Sequence, residues 1–561
     1  MDTITTVKPT SVNDASPLAP SIGHNVEALD IGAESPEARS KLRTYSILAS
    51  LCLVLFVSAL DQTIIATSIP TISASLNSAS GYVWIGGAYL LANAAAGPIW
   101  ARCSDIWGRK LALLSAIGLF AVASIIAAVS SDMPMLIAAR ALQGTAGGGL
   151  ISLVTITISD LFSVRKRALF IGLLGAIWAI AGSAGPLIGG ALTQLASWRW
   201  CFWINLPVCA IAFLFVLLFL DVHDPRTRLR EGLKAIDWFG TFCILGVTLL
   251  LLLGLDFGGA IFPWDSPKVI CLLVFGVLMI GFFLYSERSL AKYPLMHLGI
   301  FKDWSNNAIL LLAFAHSMVS IGVEYYLPLY FQSVKQESPL RSGILILPML
   351  ATEAATDIVA GVVVHTTGRY RELVCVGAVL MTLGTGLYVN FGRETPIAII
   401  AVFEIIGGIG VALLFQTPLI ALQAGIKQAD TSSATATIGL MRNVATSFSI
   451  VLGGAVFQNS MDSRQSLLAA AGLDPSTLYA LSGDHAAANV EIIQSIEDAM
   501  QRQVVQDTFS WSLRNMFIMY TCIAAVALAT SMFIKQRHLS TEHSETKTGI
   551  ENLSKRENSG T

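Results

Sequence analysis

Charge is what this sequence has least of. Asp, Glu, Lys and Arg make up 13% of its 561 residues, about half the ~25% of an average soluble domain. The 35 basic and 37 acidic residues nearly cancel, leaving a formal net charge of −2. No basic surface is therefore available to hold nucleic acid. The eight cysteines contain no Cys-x-x-Cys pair, so neither a metal centre nor a disulfide framework is expected. No Gly-x4-Gly-Lys-Ser/Thr segment occurs, which argues against ATP as a directly bound fuel. No nucleophile–base–metal set can be assembled, so an enzyme is not expected, nor a cofactor.

What the sequence has in excess is apolar surface, at 54% of residues. Apolar windows fall at 46–70, 82–100, 111–130, 135–158, 168–192, 202–220, 238–255, 269–286, 307–331, 342–364, 373–391, 397–424, 433–457 and 515–534. Each can cross a ~30 Å hydrocarbon layer as a helix. The expected fold class is an all-α polytopic membrane protein of 14 transmembrane helices. The first 45 residues lack the basic–apolar–small pattern of a cleaved signal, so the first span should serve as its own insertion signal.

With the amino terminus in the cytosol, inner segments hold 25 Lys and Arg and outer loops hold 8. That asymmetry predicts cytosolic termini at both ends, which an even number of spans permits. Residues 1–45 and 535–561 read as polar, disordered cytosolic tails. Asn552, in the only glycosylation sequon, would then not be modified. The outer loop 458–514 is acidic. Its stretch 490–505 is amphipathic, with Ile493, Ile496, Met500 and Val504 on one face, and predicts a short helix over the outer mouth.

The chain also repeats itself. Ala101-x3-Asp105-x2-Gly108-Arg109 recurs as Gly361-x3-His365-x2-Gly368-Arg369, 260 residues later. Arg140-x2-Gln143-Gly144 aligns with Glu404-x2-Gly407-Gly408 at an offset of 264, and Asp61 with Glu324 at 263. These offsets predict two six-helix pseudo-repeats, 46–220 and 307–534, with two helices inserted in 221–306.

Seven charges fall inside the spans: Asp61, Arg140, Glu324, Glu353, Asp357, Glu404 and Arg442. Each costs at least ~2.5–3.5 kcal/mol at mid-bilayer, so each needs a partner or a task. Five acids and two arginines make at most two simple pairs. A carboxyl left without a cation is suited to exchanging protons with water. Asp61 and Glu324, with Arg140 and Glu404, are the proton-coupling candidates. Glu353 and Asp357 share a helix face and would line water or meet Arg442, while His316 reads as a packing residue.

Several segments together resemble the major facilitator superfamily, and within it the fourteen-spanner drug:proton antiporters of fungal type. Leu60-Asp61-Gln62-Thr63 through Pro70 is similar to that branch's first-helix motif. Residues 101–110, with Asp105, Gly108, Arg109 and Lys110, resemble the cytosolic loop motif. Ala101 and Ile106 depart from it, standing where glycine and a basic residue are usual. Asp105 could accept N–H bonds at the start of the third helix and pair with Arg109 or Lys110 as a latch. Arg140-Ala141-Leu142-Gln143-Gly144 resembles the fourth-helix motif. Gly182, Gly185, Pro186, Gly189 and Gly190 match the fifth-helix antiporter signature, where a strip without side chains permits close packing. Residues 198–207, 325–332 and 338–343 complete the likeness over 46–534.

The resemblance implies a proton-coupled antiporter that exports small organic compounds by alternating access. Trp178, Tyr325, Tyr326, Phe331 and Gln416 would line its cavity. Its partners would be the substrate, protons and the lipid bilayer. It would work as a monomer in the plasma membrane, with the vacuolar membrane as the alternative site. A vacuolar basic amino-acid or siderophore carrier, and a transporter-like sensor, are the competing functions.

Overall fold

A computed structural model describes residues 41–65, 68–76, 81–223, 225–259, 262–291, 294–487, 489–541 and 548–550. The expectations for residues 1–40 and for Asn552 lie outside these. Among the described residues, fourteen long helices carry the chain. In the first half they are α1 (Lys41–Ile64), α2 (Gly81–Trp107), α3 (Arg109–Ala128), α4 (Met133–Leu161), α5 (Val164–Leu195) and α6 (Asn205–Phe219). The inserted pair is α7 (Trp238–Phe257) and α8 (Pro267–Tyr285). The second half holds α9 (Trp304–Ser333), α10 (Leu347–Thr367), α11 (Arg371–Tyr388), α12 (Ile397–Ala424), α13 (Thr431–Ser463) and α14 (Ala499–Ser531).

Among the described residues, 13 helices are long and apolar enough to cross a membrane. The fourteenth expected window is α2, whose 27 residues reach ~40 Å. Its glycines, Asn93 and Pro98 dilute its apolarity without breaking the helix. The fold is all-α and polytopic, as composition requires.

Three local expectations need correction. The first window does not run to Pro70: α1 ends at Ile64, and a new short helix begins at Ile69. Pro70 has no N–H to give a preceding turn, which suits it to a helix start and not to the interior of α1. The stretch 490–505 is not one amphipathic helix. Asp498 accepts from Met500 N at 2.7 Å and caps α14, leaving only Ile492–Ser495 helical before it. Ile493 and Ile496 are buried while Met500 is exposed. The C-terminal tail is also not wholly loose, because Gly549 N donates to Asp105 O at 2.8 Å.

The two halves pack alike. In the first, α2 packs on α4, α3 on α4 and α3 on α6; in the second, α10 packs on α12, α11 on α12 and α11 on α14. A shift of eight helices maps one set onto the other. The halves meet along two seams, α5 with α10 and α2 with α13, which exchange under the same relation. The inserted helices α7 and α8 pack together, and α7 rests on α2 and α13.

In lipid, helices gain little from burying apolar side chains, so close backbone approach must hold them together. Gly144 and Gly148 on α4 provide it. A Cβ at Gly144 would stand 2.2 Å from Tyr89 O, and one at Gly148 2.3 Å from Asn93 O, both on α2. Gly144→Leu should therefore separate α2 from α4 and lower the unfolding midpoint in detergent by several degrees. A thermal melt checks this, with Gly182→Leu, which meets open space, as the control that leaves the midpoint in place.

Candidate functional site

The geometry around Asp61 follows from three sequence features. Arg140 and Gln143 lie one turn apart on α4, so both reach the same point on α1. Gly144 lets α2 close over them. Asn205 opens α6 with its amide pointing inward. The result is a closed polar cluster in the middle of the first half. Arg140 Nη1 donates to Asp61 Oδ2 at 2.6 Å and to Gln143 Oε1 at 3.0 Å. Gln143 Nε2 donates to Asp61 Oδ1 at 3.2 Å, and Asn205 Nδ2 to the same oxygen at 2.6 Å. Ser124 Oγ accepts from Gln143 at 2.8 Å. The guanidinium also donates to Ile85 O at 3.1 Å and stands 4.4 Å over the Tyr89 ring. Asp61 is 0% exposed and Arg140 1%. Both carboxylate oxygens are bonded, as a buried charge pair requires.

The equivalent positions in the second half are arranged differently. Glu324 is exposed on α9, yet within electrostatic reach of Glu353 on α10, which also feels Asp357. Asp357 in turn lies within reach of Arg442 on α13. Arg442 donates to Phe415 O and stands 5.1 Å over that ring, with no hydrogen-bond partner for Nε. His316 sits against Val411 O at 2.9 Å, the packing role expected of it. Glu404, the counterpart of Arg140, is wholly buried and neither oxygen has a hydrogen-bond partner. Two acids cannot reproduce an Asp–Arg pair, so the pseudo-repeat preserves the backbone and not the chemistry.

The loop motif forms a latch that reaches across the halves. Asp105 pairs with Arg109 at 2.6 Å, and Arg109 Nε donates to Asp160 Oδ2 at 2.6 Å. Arg109 Nη2 donates to Ser432 Oγ on α13 at 2.6 Å, and that hydroxyl donates to Asp105 Oδ1 at 2.9 Å. Lys110 takes no part; it donates to Leu217 O at 2.7 Å. Nor does Asp105 cap the third helix. The cap position is Gly108, at φ +92 and with no side-chain hydrogen bond. A Cβ there would stand 2.9 Å from Pro225 Cδ, so glycine is required for both reasons.

More ties join the halves on the same face. Arg167 on α5 donates to Gln423 Oε1 at 3.2 Å and to Gln428 Oε1 at 2.5 Å. Gln423 Nε2 donates to Ser159 Oγ at 2.9 Å, and Arg165 Nε to His365 O at 2.7 Å. This latch face is closed, while Glu324 of α9 is exposed and Glu353 of α10 half-buried.

The glycines of α5 do not form the uniform strip expected. Gly185 approaches α1 closely, with a Cβ 2.0 Å from Thr63 Oγ1, while Gly182 and Gly190 meet open space. Gly189 is buried, and the helix runs on through Pro186. Two further close contacts are at Gly172 and Gly175, against Asp357 of α10. Of the aromatic cavity candidates, Tyr326 and Phe331 are core residues. Phe331 is 0% exposed, and Tyr326 OH donates to Ile450 O at 2.6 Å. Tyr326 turns into the α9–α13–α14 contact beside Gly453 of α13 and Tyr520 of α14, and Phe331 packs in the core with its ring tilted against Tyr330. Tyr325 remains 57% exposed, Trp178 half-buried and Gln416 buried.

Sequence reasoning missed Asn205, Ser124, Asp160, Ser432 and Gln423. Asn205 had a signal, as a lone amide at the start of an apolar span; the others are ordinary polar residues until the fold brings them together. Ser432→Ala removes a hydrogen bond to a charged group, ~1.5–3 kcal/mol. It should shift the latch-open population upward about tenfold or more, read as distances between spin labels at exposed Lys166 and Lys427.

Comparison with known proteins agrees with this architecture. The family model for the Major Facilitator Superfamily matches residues 51–450. The MFS-type transporter ppz2 of Metarhizium majus is 44% identical, covering 96% of this chain and 94% of its own. The efflux pump dotC of Dothistroma septosporum is 43% identical, covering 91% and 87%. The human organic anion transporter MFSD10 has a similar fold, with a TM-score of 0.53 at 15% identity, over 86% of this chain and 99% of that one. A double-tryptophan variant of XylE also has a TM-score of 0.53, at 14% identity over 91% and 98%. With two matching helical halves, a bonded Asp–Arg pair in one of them and a latch between them, this chain belongs to the Major Facilitator Superfamily.

Proposed function

We propose that the chain is a proton-coupled antiporter that exports small organic compounds from the cytosol by alternating access. The observation that carries this reading is the contrast between the two sets of membrane carboxyls. Asp61 is sealed with Arg140 while the latch face is closed. Glu324 is meanwhile exposed and Glu353 half-buried, and among the described residues neither has a bonded cation. Parting the halves at the latch face moves α5 against α10, and with it the glycines that pack on Asp357. One motion thereby changes the surroundings of the carboxyls in both halves.

In the first half, a proton on Asp61 would weaken its hold on Arg140, freeing α1 and α4 to move. Arg140 keeps its charge throughout and is the fixed partner. In the second half, Glu404 has no donor to either oxygen, and a proton is the neutraliser the chemistry leaves. Trp178, Tyr325 and Gln416 offer flat and amide surfaces for an apolar guest near mid-membrane. Efflux is supported by relatives named as efflux pumps, dotC and the FUS6 protein of Gibberella moniliformis, 33% identical over 89% of this chain. A relative in Aspergillus aculeatus, 36% identical, is named for the acurin A biosynthesis cluster. A fungal secondary metabolite is the substrate class this favours. The 25:8 charge asymmetry supports cytosolic termini and a cytosolic latch face. We place the protein in the plasma membrane, as a monomer.

In vesicles with an imposed pH gradient, Asp61→Asn should abolish gradient-driven export while the purified variant keeps its helix content and elution volume. Unchanged gradient-driven transport would remove Asp61 from the coupling. A proton ionophore should stop export by the wild-type chain, and export that continued on ATP alone would point to another energy source.

A further inference from the structure

A second polar site lies apart from the membrane carboxyls, where the α5–α10 seam reaches the latch face. A cavity of about 270 Å³ opens there, bounded by Arg165 of α5, by Gly368 and Arg369 past the end of α10, and by Gln536, Arg537 and His538 after α14. No acid lines it. Arg537 is paired with Asp303 and bonded to Asn306 Oδ1 at 3.0 Å. Arg165 gives its Nε to His365 O and a second nitrogen to Thr366 O, so it meets carbonyl dipoles and no carboxylate. Arg369 is 72% exposed, with Glu372 as far as 3.9 Å away. The cavity therefore carries an excess of positive charge.

The backbone around it is held in place. Gln536 Nε2 donates to Gly368 O at 3.0 Å, its Oε1 accepts from Arg371 N at 3.1 Å, and Tyr370 OH donates to Lys535 O at 2.8 Å. The segment after α14 is thus strapped under the end of α10, which fixes where the cations stand.

Two observations place this cavity at a lipid headgroup layer. Asp303, the partner of Arg537, immediately precedes Trp304, whose exposed ring meets the exposed Phe533 ring edge-on at 6.3 Å. Exposed aromatics at helix ends mark the membrane–water boundary. The second is an apolar groove of about 420 Å³ on the same seam, lined by Tyr45, Leu48 and Cys52 of α1, Leu169 and Leu173 of α5, and Ile358 of α10. Leu169 is one turn along α5 from Arg165. A chain of methylenes fits the groove, and an anion fits the cavity.

We propose that this seam binds an anionic glycerophospholipid, its phosphate-bearing headgroup among Arg165, Arg369 and His538 and an acyl chain in the α1–α5–α10 groove. Basic pockets between helices on the cytosolic side are suited to such headgroups. The site takes Arg165 from the first half and its other cations from the second, so it is whole only while the latch face is closed. A ligand that binds one state favours that state. The lipid holds the halves together on this face and slows the opening of the latch.

The test is a titration of the purified full-length chain with phosphatidylinositol 4-phosphate, read by native mass spectrometry. Phosphatidylcholine and inorganic phosphate serve as the other two probes. The anionic lipid should bind more tightly than either. Arg369→Gln combined with His538→Gln should weaken it about fivefold or more, since each cation near an anionic lipid surface contributes roughly that factor. Both side chains are exposed, so the variant should elute and melt as the parent does. Equal binding by the variant overturns the proposal. So does equal affinity for phosphatidylcholine, which would leave the groove alone responsible. Inorganic phosphate displacing the lipid at comparable concentration overturns it too, because the site would then be one for free anions.

Discussion

The buried pair of Asp61 and Arg140 is the constraint from which the first half is built. Two opposite charges can remain in a hydrocarbon layer only if nearly every lone pair and N–H is satisfied. That requirement brings α1, α2, α3, α4 and α6 to one point. Gln143 and Asn205 fill the second oxygen of Asp61, Ser124 takes the remaining amide proton of Gln143, and Ile85 O takes Nε of Arg140. Gly144 permits the close approach of α2 without which Ile85 and Tyr89 could not reach the guanidinium. Breaking one partner of such a pair costs ~3–5 kcal/mol, because the other is left buried and bare. A proton on Asp61 would likewise leave Arg140 charged and unpaired, so in the proposed mechanism protonation would drive the guanidinium toward a new partner or water.

The second half reuses the helix arrangement for a different purpose. Its α10, α11, α12 and α14 pair as α2, α3, α4 and α6 do, yet where Arg140 stands the repeat has Glu404, and where Asp61 is sealed Glu324 is exposed. One half holds its charge in a closed lattice of hydrogen bonds; the other buries Glu404 without a donor and leaves Glu324 exposed. The latch couples them at a distance. Ser432 of α13 bridges both Asp105 and Arg109, and Gln423 of α12 reaches Ser159 of α4, so a change in either half is felt by the other.

How much of this was legible in the sequence depends on how local each feature is. Span count, helical class and the duplicated halves rest on apolar runs and fixed offsets, and these survive folding almost unchanged. The Arg140–Gln143–Gly144 triplet was legible because all three residues act from one turn of one helix. The latch was half legible. Asp105 with Arg109 is an i, i+4 pair, but Ser432 lies 323 residues from Arg109, and nothing near a serine marks it as a bridge. Tyr326 and Phe331 could not be told from cavity residues because an aromatic side chain suits a packed core and a ligand wall equally well; the surroundings decide, and for Tyr326 it is Gly453 and Tyr520 that decide for packing. The break after Ile64 was legible in Pro70 and was overridden by the length of the apolar run.

In the proposed mechanism, exported compound and proton compete for one transporter through these carboxyls. The most direct measurement adds an exported compound to purified protein in weakly buffered solution and records the pH. The account expects protons to be released on binding, in proportion to protein and saturating with the compound. Binding without any change in pH would contradict it.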